Sequence, residues 1–314
     1  MKKKAIIISI KGYKLSNKEK LLLSKEKPWG IILFKRNIIS FYQLQKLIID
    51  IKKMTKDKKF PVLIDEEGSS VSRLRNILNH NIDANYFGNL YKIDKKVALK
   101  LYTIYLESLC KNLKKIGINI NTIPVLDVLK NNTNKIIGKR SFSDNREIVK
   151  KFGTITIKKC HSLNVGTVIK HIPGHGCTSV DSHLSLPKVN LSKKILDKEH
   201  FYPFKSSSAK LAMTAHILYS KIDSKNISTF SSKIIKKIIR KRLRFKGILM
   251  SDDISMKALK YDLVTNAKKS LEAGCNLVLY CAGNIVDNYK LIKTVPYIDK
   301  FTSKKTSEIY KILR

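Results

Sequence analysis

Residues 247–253 read Gly-Ile-Leu-Met-Ser-Asp-Asp: a buried-strand pattern at 247–251 is followed directly by two carboxylates. A continuous apolar run is typical of a parallel strand that is covered on both faces. Seven further short apolar runs occur along the 314-residue chain, at residues 5–10, 30–34, 60–64, 118–125, 166–171, 211–216 and 276–281. Helix-patterned segments separate them. Eight such units in succession predict one closed (β/α)8 barrel, a TIM barrel that spans residues 1–314 as a single domain.

Helical periodicity fills the intervals between these runs. Ser16 and Glu19 have the spacing of a capping box. The apolar residues of segment 41–54 share one helical face: Leu44, Leu47, Ile48 and Ile51. Further helices are predicted at residues 99–116, 148–163, 231–243, 263–273 (ended by Gly274) and 301–314. A doubly wound open sheet would place a glycine-rich turn after its first strand. No such turn follows residues 5–10, which favours the barrel.

The charge of the chain is strongly unbalanced. It has 63 Lys and Arg against 24 Asp and Glu, a formal net charge of +39. Nucleic-acid-binding proteins gather such charge into a localised patch, because cations there neutralise phosphates. Here the cations are spread along the whole chain, which favours a biased composition and predicts no specific nucleic-acid partner. A non-catalytic basic barrel that binds nucleic acid is the alternative.

The five cysteines are scattered and form no CxxC pair, so they predict neither a disulfide framework nor a structural zinc site. The apolar run at residues 5–10 is too short for the core of a signal peptide. No stretch approaches the roughly 20 apolar residues that a membrane helix needs. We therefore expect a cytoplasmic monomer with no membrane association.

Unusual polar residues follow several of the predicted strands. They lie at residues 65–67, 124–128, 140, 170–171, 216 and 251–253. In a (β/α)8 barrel, the functional residues come just after the strands, on the C-terminal face. The sequence therefore predicts one site at that rim.

The densest polar segment is residues 170–183, Lys-His-Ile-Pro-Gly-His-Gly-Cys-Thr-Ser-Val-Asp-Ser-His. Its proline and glycines predict a long loop after the fifth strand. His171, His175 and His183 could together bind zinc, because imidazole is a common zinc ligand. Alternatively, Asp181 could orient His183 and raise its basicity, making an acid/base pair. Spacing alone leaves the two possibilities open.

Two adjacent carboxylates follow the seventh strand. Asp252 comes directly off the strand end and could be a nucleophile, a base or a metal ligand. Asp253 is interpreted as the N-cap of the next helix, a common role for Asp.

A third group of charges lies in residues 65–75, Asp-Glu-Glu-Gly-Ser-Ser-Val-Ser-Arg-Leu-Arg. Carboxylates on a barrel rim suit sugar recognition, because each accepts hydroxyl hydrogen bonds. Arg73 could add a fork of donors. Glu66, Glu67 and Arg75 are less specific, and for them a rim network of ion pairs is the alternative.

Several of these segments resemble blocks of family 3 glycoside hydrolases of the bacterial β-N-acetylhexosaminidase type. Residues 170–183 match that family's loop pattern K-H-[FI]-P-G-H-G-x(4)-D-S-H at every defined position. Residues 251–256 and 137–142 resemble its S-D-D-L-S-M and I-G-x-R-S-F segments. Residues 30–37, 124–128 and 213–216 also look like family blocks, in the family's order. The resemblance covers nearly the whole chain.

The resemblance implies a metal-independent TIM-barrel enzyme that removes terminal β-linked N-acetylglucosamine with retention, without a cofactor. It implies that Asp252 is the nucleophile and that His183 is the general acid/base, with Asp181 as its partner. Residues that bind the sugar would be Asp65, Arg73, Arg140, Lys170 and His171. The implied substrates are muropeptides of the GlcNAc–1,6-anhydroMurNAc type from peptidoglycan recycling in the cytoplasm.

The segment after the third strand departs from the family. Where the family has D-Q-E-G-G-R-V-Q-R, Ser69 replaces a glycine and Ser70 replaces an arginine. If that glycine has a positive φ, Ser69 must adopt it at some strain. Asp65 and Arg73 are retained, so the sugar-binding assignment stands.

Overall fold

The computed structural model describes residues 2–78, 82–131, 133–178 and 185–313. Within them, eight parallel strands close into a barrel in sequence order, with the last strand pairing with the first. The strands are β1 Lys4–Ile8, β2 Pro28–Leu33, β3 Val62–Ile64, β4 Ile120–Asn121, β5 Gly166–Ile172, β6 Leu211–Thr214, β7 Ile248–Asp253 and β8 Leu277–Leu279. The predicted (β/α)8 barrel and all eight predicted strands are confirmed. β4 is the shortest, since Pro124 has no N–H to extend a ladder.

Side chains alternate between the inside and the outside of the barrel. Along β1, Ile7 joins the inner cluster, whereas Ile6 and Ile8 pack outward against the helices. The inner cluster takes residues from every strand, among them Ile32, Leu63, Ile120, Val168, Met213, Met250 and Leu279. Because both faces are covered, the strands are mainly apolar up to their C-terminal ends, and this is the pattern visible in the sequence.

The helices surround the barrel as Asn17–Glu26, Phe41–Thr55, Ala84–Ile93, Lys95–Ile116, Arg146–Ser162, Leu263–Ala273, Ile285–Thr294 and Lys300–Ile312. The capping box of Ser16 and Glu19 and the C-cap at Gly274 are confirmed. The predicted helix at residues 231–243 is present as Ile234–Arg242, wound as a π-helix. The helices Ala84–Ile93 and Ile285–Thr294 were not predicted. No helix of the described chain has both the length and the apolar character needed to cross a membrane.

The helix Lys300–Ile312 closes the N-terminal opening of the barrel. Its residue Ile309 and the following Leu313 join the inner cluster, beneath the strand starts. The indole of Trp29, fully buried at the start of β2, donates a hydrogen bond of 2.8 Å to the hydroxyl of Thr306 on this helix. The barrel is therefore sealed at this end, and its polar residues collect at the other.

A candidate active site at the C-terminal mouth of the barrel

A cavity of about 460 Å³ opens at the C-terminal mouth of the barrel. The inner-layer residues Ile32, Met213 and Leu279 line it together with polar residues from the strand ends. Six predicted site residues line this one cavity: Asp65, Arg73, Arg140, Lys170, His171 and Asp252. Asp181 and His183, the predicted acid/base pair, lie outside the described residues.

Glu67 is the centre of the charged network that lines the cavity. Its carboxylate lies 2.6 Å from the Lys170 ammonium and accepts two hydrogen bonds from the Arg140 guanidinium, at 2.7 and 3.0 Å. All three side chains are buried or nearly so. For Glu67 the sequence offered a rim network of ion pairs as one interpretation, and the structure shows such a network, in which Glu67 holds two predicted sugar-binding cations. The sequence signals were its position two residues after Asp65 and its match to the glutamate of the family pattern.

Asp65 forms the second half of this network. Its carboxylate accepts from the Lys170 ammonium at 3.3 Å, from Arg73 at 3.1 Å and from the Thr122 hydroxyl. Nε of Arg73 is buried and has no hydrogen-bond partner among the described residues. The side chain of Arg73 as a whole is 31% exposed, and it lines the cavity.

The charges of this network hold one another ionised. Burial alone would raise the pKa of Glu67, but the charges of Arg140 and Lys170 lower it to about 2. Burial likewise acts to raise the pKa of Asp65, and the charges of Lys170 and Arg73 hold it well below its usual range instead. The cavity therefore presents fixed donors and acceptors of both signs, an arrangement that suits the hydroxyl groups of a sugar.

Arg140 is positioned by a close contact between two segments. It ends the short 3₁₀ turn Gly138–Arg140, which precedes Phe142. Gly88, on the helix Ala84–Ile93, lies so near this segment that a Cβ there would be 1.6 Å from the carbonyl oxygen of Phe142. Only glycine permits this approach, which brings the turn and its arginine to the rim.

The end of β5 contributes two histidines to the cavity. His171 donates from Nδ1 to the carboxylate of Asp127 at 2.7 Å, and the backbone N–H of His175 donates to the same carboxylate at 2.5 Å. Burial lowers the pKa of His175 to about 4, so its ring is neutral at physiological pH. Asp127 was part of a family-like block in the sequence but was not predicted as a site residue. Its signal was a lone carboxylate just beyond the fourth strand.

The two carboxylates at the end of β7 have different environments. Asp252 is half-buried, lines the cavity and accepts a hydrogen bond of 2.8 Å from the N–H of Asp253. The predicted N-cap role of Asp253 is wrong, because the next helix begins at Leu263 and is capped by Asp262. Asp253 instead accepts from the N–H and hydroxyl of Ser255, which closes a local turn.

His216 supports this strand end from behind. It is fully buried, and Nε2 donates to the carbonyl oxygen of Asp253 at 3.1 Å, while Nδ1 lies 2.8 Å from the Thr229 hydroxyl. Burial lowers the pKa of His216, which favours the neutral ring. Its role is therefore to hold the backbone that carries Asp252.

The segment with the unusual serines adopts a relaxed backbone. The positive φ, +150°, falls on Gly68 rather than on Ser69, so the strain expected for Ser69 is absent. A Cβ on Gly68 would lie 2.5 Å from the carbonyl oxygen of Ile82. Ser70 donates from N–H and hydroxyl to the carboxylate of Asp83, at 2.7 and 3.0 Å. Ser70, which replaces the family's arginine, thus links this segment to the residue that precedes the helix Ala84–Ile93.

Glu66 occupies the position where the family has Gln. Its side chain is fully buried and accepts hydrogen bonds from the N–H groups of Arg73 and Leu74, at 2.8 and 2.9 Å. Burial raises its pKa. A carboxyl group whose pKa is raised in the folded state stabilises the fold below its unfolded pKa, and this contribution is lost as the pH rises through the folded pKa.

We therefore expect Glu66→Gln to raise the thermal midpoint by a few degrees at pH 7–8, because Gln keeps an acceptor oxygen and carries no charge. The gain should shrink as the pH falls below the ordinary Glu value of 4.5. Calorimetry at a series of pH values measures it. A gain that persists unchanged at pH 3.5 would contradict the role of ionisation.

The zinc alternative depends on a residue beyond the described ranges. It requires His183 in addition to His171 and His175. Among the residues that the structure describes, no group of three His, Cys, Asp or Glu is placed to hold a metal ion. The Nδ1 atoms of His171 and His175 face Asp127 and the Thr178 hydroxyl, respectively.

Comparison of the chain with known proteins identifies one family. The model of the glycosyl hydrolase family 3 N-terminal domain matches residues 2–307. The chain belongs to glycosyl hydrolase family 3. Over 304 residues this family 3 hydrolase is 31% identical to a β-hexosaminidase from Haemophilus influenzae, covering 93% of this chain and 85% of that protein. The predicted resemblance to the β-N-acetylhexosaminidase branch is confirmed.

Solved structures of the family share the fold. NagZ from Neisseria gonorrhoeae in complex with N-trifluoroacetyl-D-glucosamine superposes with a TM-score of 0.88 at 28% identity, covering 98% of this chain and 90% of that chain. A crystal structure of the same protein in complex with a zinc ion has a TM-score of 0.86 at the same identity and coverage. The family 3 barrel is therefore matched over nearly its full length.

Proposed function

We propose that the chain is a retaining exo-β-N-acetylglucosaminidase that acts on muropeptides of the GlcNAc–1,6-anhydroMurNAc type. The observation that carries the proposal is the position of Asp252, a carboxylate that lines the same cavity as the ion-paired network of Glu67, Lys170 and Arg140. Retention requires a nucleophile beside a site that fixes the sugar. The names of the relatives support an N-acetylhexosamine as that sugar.

In the proposed mechanism, Asp252 attacks the anomeric carbon of the terminal sugar and forms a covalent glycosyl-enzyme. His183, oriented by Asp181, gives its proton to the glycosidic oxygen, and the aglycone leaves. A water molecule then attacks the anomeric carbon, returns its proton to His183 and releases Asp252. The pKa of about 6.5 of an unperturbed imidazole suits both proton transfers near neutral pH.

Asp65, Arg73, Arg140, Lys170 and His171 are proposed to hold the sugar. Arg73 brings a partly exposed guanidinium. The pair of Asp65 and Lys170, together with Arg140, brings charges that the network already orients. Preorganised groups of this kind lower the cost of fixing the sugar in a reactive geometry. Because inner-layer residues close the cavity below, the proposal predicts attack at a chain end only.

The proposal is tested with 4-nitrophenyl β-N-acetylglucosaminide, followed by absorbance, in buffer with and without EDTA. We expect hydrolysis that is unaffected by EDTA, far slower hydrolysis of the matching β-glucoside, and the β-anomer as the first product in NMR. An α-anomer as first product would contradict retention. Loss of activity with EDTA, restored by zinc, would instead support a zinc hydrolase that uses His171, His175 and His183.

The natural aglycone is tested separately, with GlcNAc–anhydroMurNAc and its peptide-bearing form. Release of N-acetylglucosamine from both is expected. If only the aryl substrate is cleaved, the muropeptide assignment fails while the hexosaminidase assignment stands. Salt-sensitive retention of DNA or RNA without any hydrolysis would support the basic binding barrel instead.

A further inference from the structure

Asp127 is a buried carboxylate that receives several N–H groups of the β5 end. It is 0% exposed. One oxygen accepts from the ring Nδ1 of His171 at 2.7 Å, and the other accepts from the backbone N–H of His175 at 2.5 Å. The backbone N–H of His171 points to the same carboxylate, at 3.3 Å from the nearer oxygen. A group that costs this much to bury is retained only with such complete pairing.

The contact with His171 determines which ring nitrogen carries a proton. Burial alone would raise the pKa of Asp127, but the neighbouring His171 and His175 lower it, so the group is a carboxylate that can only accept. Nδ1 of His171 must therefore carry the proton. Nε2, on the opposite side of the ring, has no hydrogen-bond partner among the described residues, and the ring lines the cavity. Nε2 is thus the atom left for a ligand.

The contact with His175 fixes the loop base, the described segment 173–178 that follows β5. Next to His175, Gly176 lies against the backbone of Val128, where a Cβ would be 2.0 Å from the carbonyl oxygen. The carbonyl of Gly176 accepts from the Thr133 hydroxyl at 2.5 Å, and that of Thr178 accepts from the N–H of Asn134 at 2.7 Å. The loop base is therefore bound to the segment that follows β4.

We propose that Asp127 is a positioning residue of the reaction: it presents Nε2 of His171 to the sugar and anchors the loop base through the N–H of His175. The inference rests on the proposed glycosidase function. One carboxylate thus joins the proposed sugar-binding histidine to the loop base. Asp127 acts through these groups and does not line the cavity itself.

Asp127→Asn tests the proposal because the amide replaces one of the two acceptor oxygens with a donor. The backbone N–H of His171 lies within reach of the same oxygen as that of His175, so both can stay with the Asn oxygen. The backbone N–H of His175 cannot change, so the Asn oxygen should stay with it. The NH₂ group then faces Nδ1 of His171, which must lose its proton and shift it to Nε2. We expect kcat/KM on the aryl substrate to fall about 100-fold or more, as when a catalytic histidine is held in the wrong tautomer.

The decisive readout is the tautomer itself, from ¹⁵N chemical shifts of histidine-labelled protein, with His171 assigned by its absence in His171→Ala. The proton should lie on Nδ1 in the wild type and on Nε2 in Asp127→Asn, with weaker binding of N-acetylglucosamine in the same spectra. An unchanged tautomer with unchanged affinity for the sugar would overturn the proposal. So would independent, fully additive losses of Asp127→Asn and His171→Ala in the double variant.

Asp57→Asn is the matched control. Asp57 also pairs in a buried network, with Lys3 at 2.8 Å and the Tyr310 hydroxyl at 2.6 Å, but it lies at the closed end of the barrel. It should lower the thermal midpoint and leave kcat/KM and the His171 tautomer unchanged. If wild-type protein fails to hydrolyse the substrate, the proposed function is wrong. If it hydrolyses and Asp127→Asn behaves like wild type, only the positioning role is wrong.

Discussion

Asp252→Asn should lower kcat on an aryl β-N-acetylglucosaminide by about 10⁴-fold or more, the scale of losing a nucleophile in other covalent catalysts. The amide has nearly the same shape, so the fold should be retained, but its nitrogen and oxygen cannot attack the anomeric carbon. Because residue 252 is only half-buried, the thermal midpoint of the variant should differ little from that of the wild type. Initial rates and calorimetry on the same preparation separate the two effects.

A nucleophile can also be replaced chemically, which makes this prediction sharper. In Asp252→Ala, azide should enter the vacated space and attack from the same face, giving the α-glycosyl azide from a β-substrate. Asp253→Asn is the neighbouring control: Asp253 lines the same cavity, but its carboxylate is occupied by hydrogen bonds from Ser255 and from the N–H of Cys281. It should lose stability and keep activity within about tenfold, as expected for loss of a local hydrogen-bond group. Equal losses in the Asp252 and Asp253 variants would argue against the nucleophile.

Glu67→Gln is expected to have the largest effect on stability and a large effect on activity. It leaves the buried Lys170 and Arg140 without their shared anion, and removal of one partner from a buried charge network costs about 3–5 kcal/mol. Both cations should also move away from the sugar, and a displacement of about 1 Å can cost about 100-fold in rate. We expect a lower midpoint and a lower kcat/KM together.

The pH dependence identifies the cause. A carboxyl with a depressed pKa stabilises the fold above its unfolded pKa, and this is lost as the pH falls through the folded value, here from 4.5 toward about 2. The stability difference between wild type and Glu67→Gln should therefore shrink over that range. Glu199→Gln is the control, since its pairing with Lys130 at 3.1 Å is partly exposed and contributes at most about 1 kcal/mol. A pH-independent difference would point to packing instead of charge.

The barrel was predictable because its buried strands appear in the sequence as short apolar runs separated by helix-patterned segments. Each strand is covered on both faces, so each appears as an apolar run, and the polar residues after the runs mark the C-terminal rim. Asp65, Arg73, Arg140, Lys170, His171 and Asp252 were all found in this way, and the structure brings them to one cavity.

The sequence did not show contacts between residues that are far apart in the chain and meet only in the folded barrel. The role of Glu67 comes from its partners, Lys170 and Arg140, which lie far along the chain. Asp127 likewise acquires its role through β5. The error at Asp253 had a local cause, because a turn that bonds to Ser255 uses the same residue type as an N-cap. Composition and spacing do not carry this three-dimensional information.

The position of Trp29 has a practical consequence for all of these measurements. It is the single tryptophan of the chain, and it is sealed beneath the strands against Thr306 and the closing helix, at the end of the barrel opposite the cavity. Its fluorescence should remain blue-shifted and unquenched while the barrel is closed, and it should shift to the red when the closing helix detaches. The intrinsic emission of the protein is therefore a reporter of barrel integrity that substitutions and ligands at the mouth leave undisturbed.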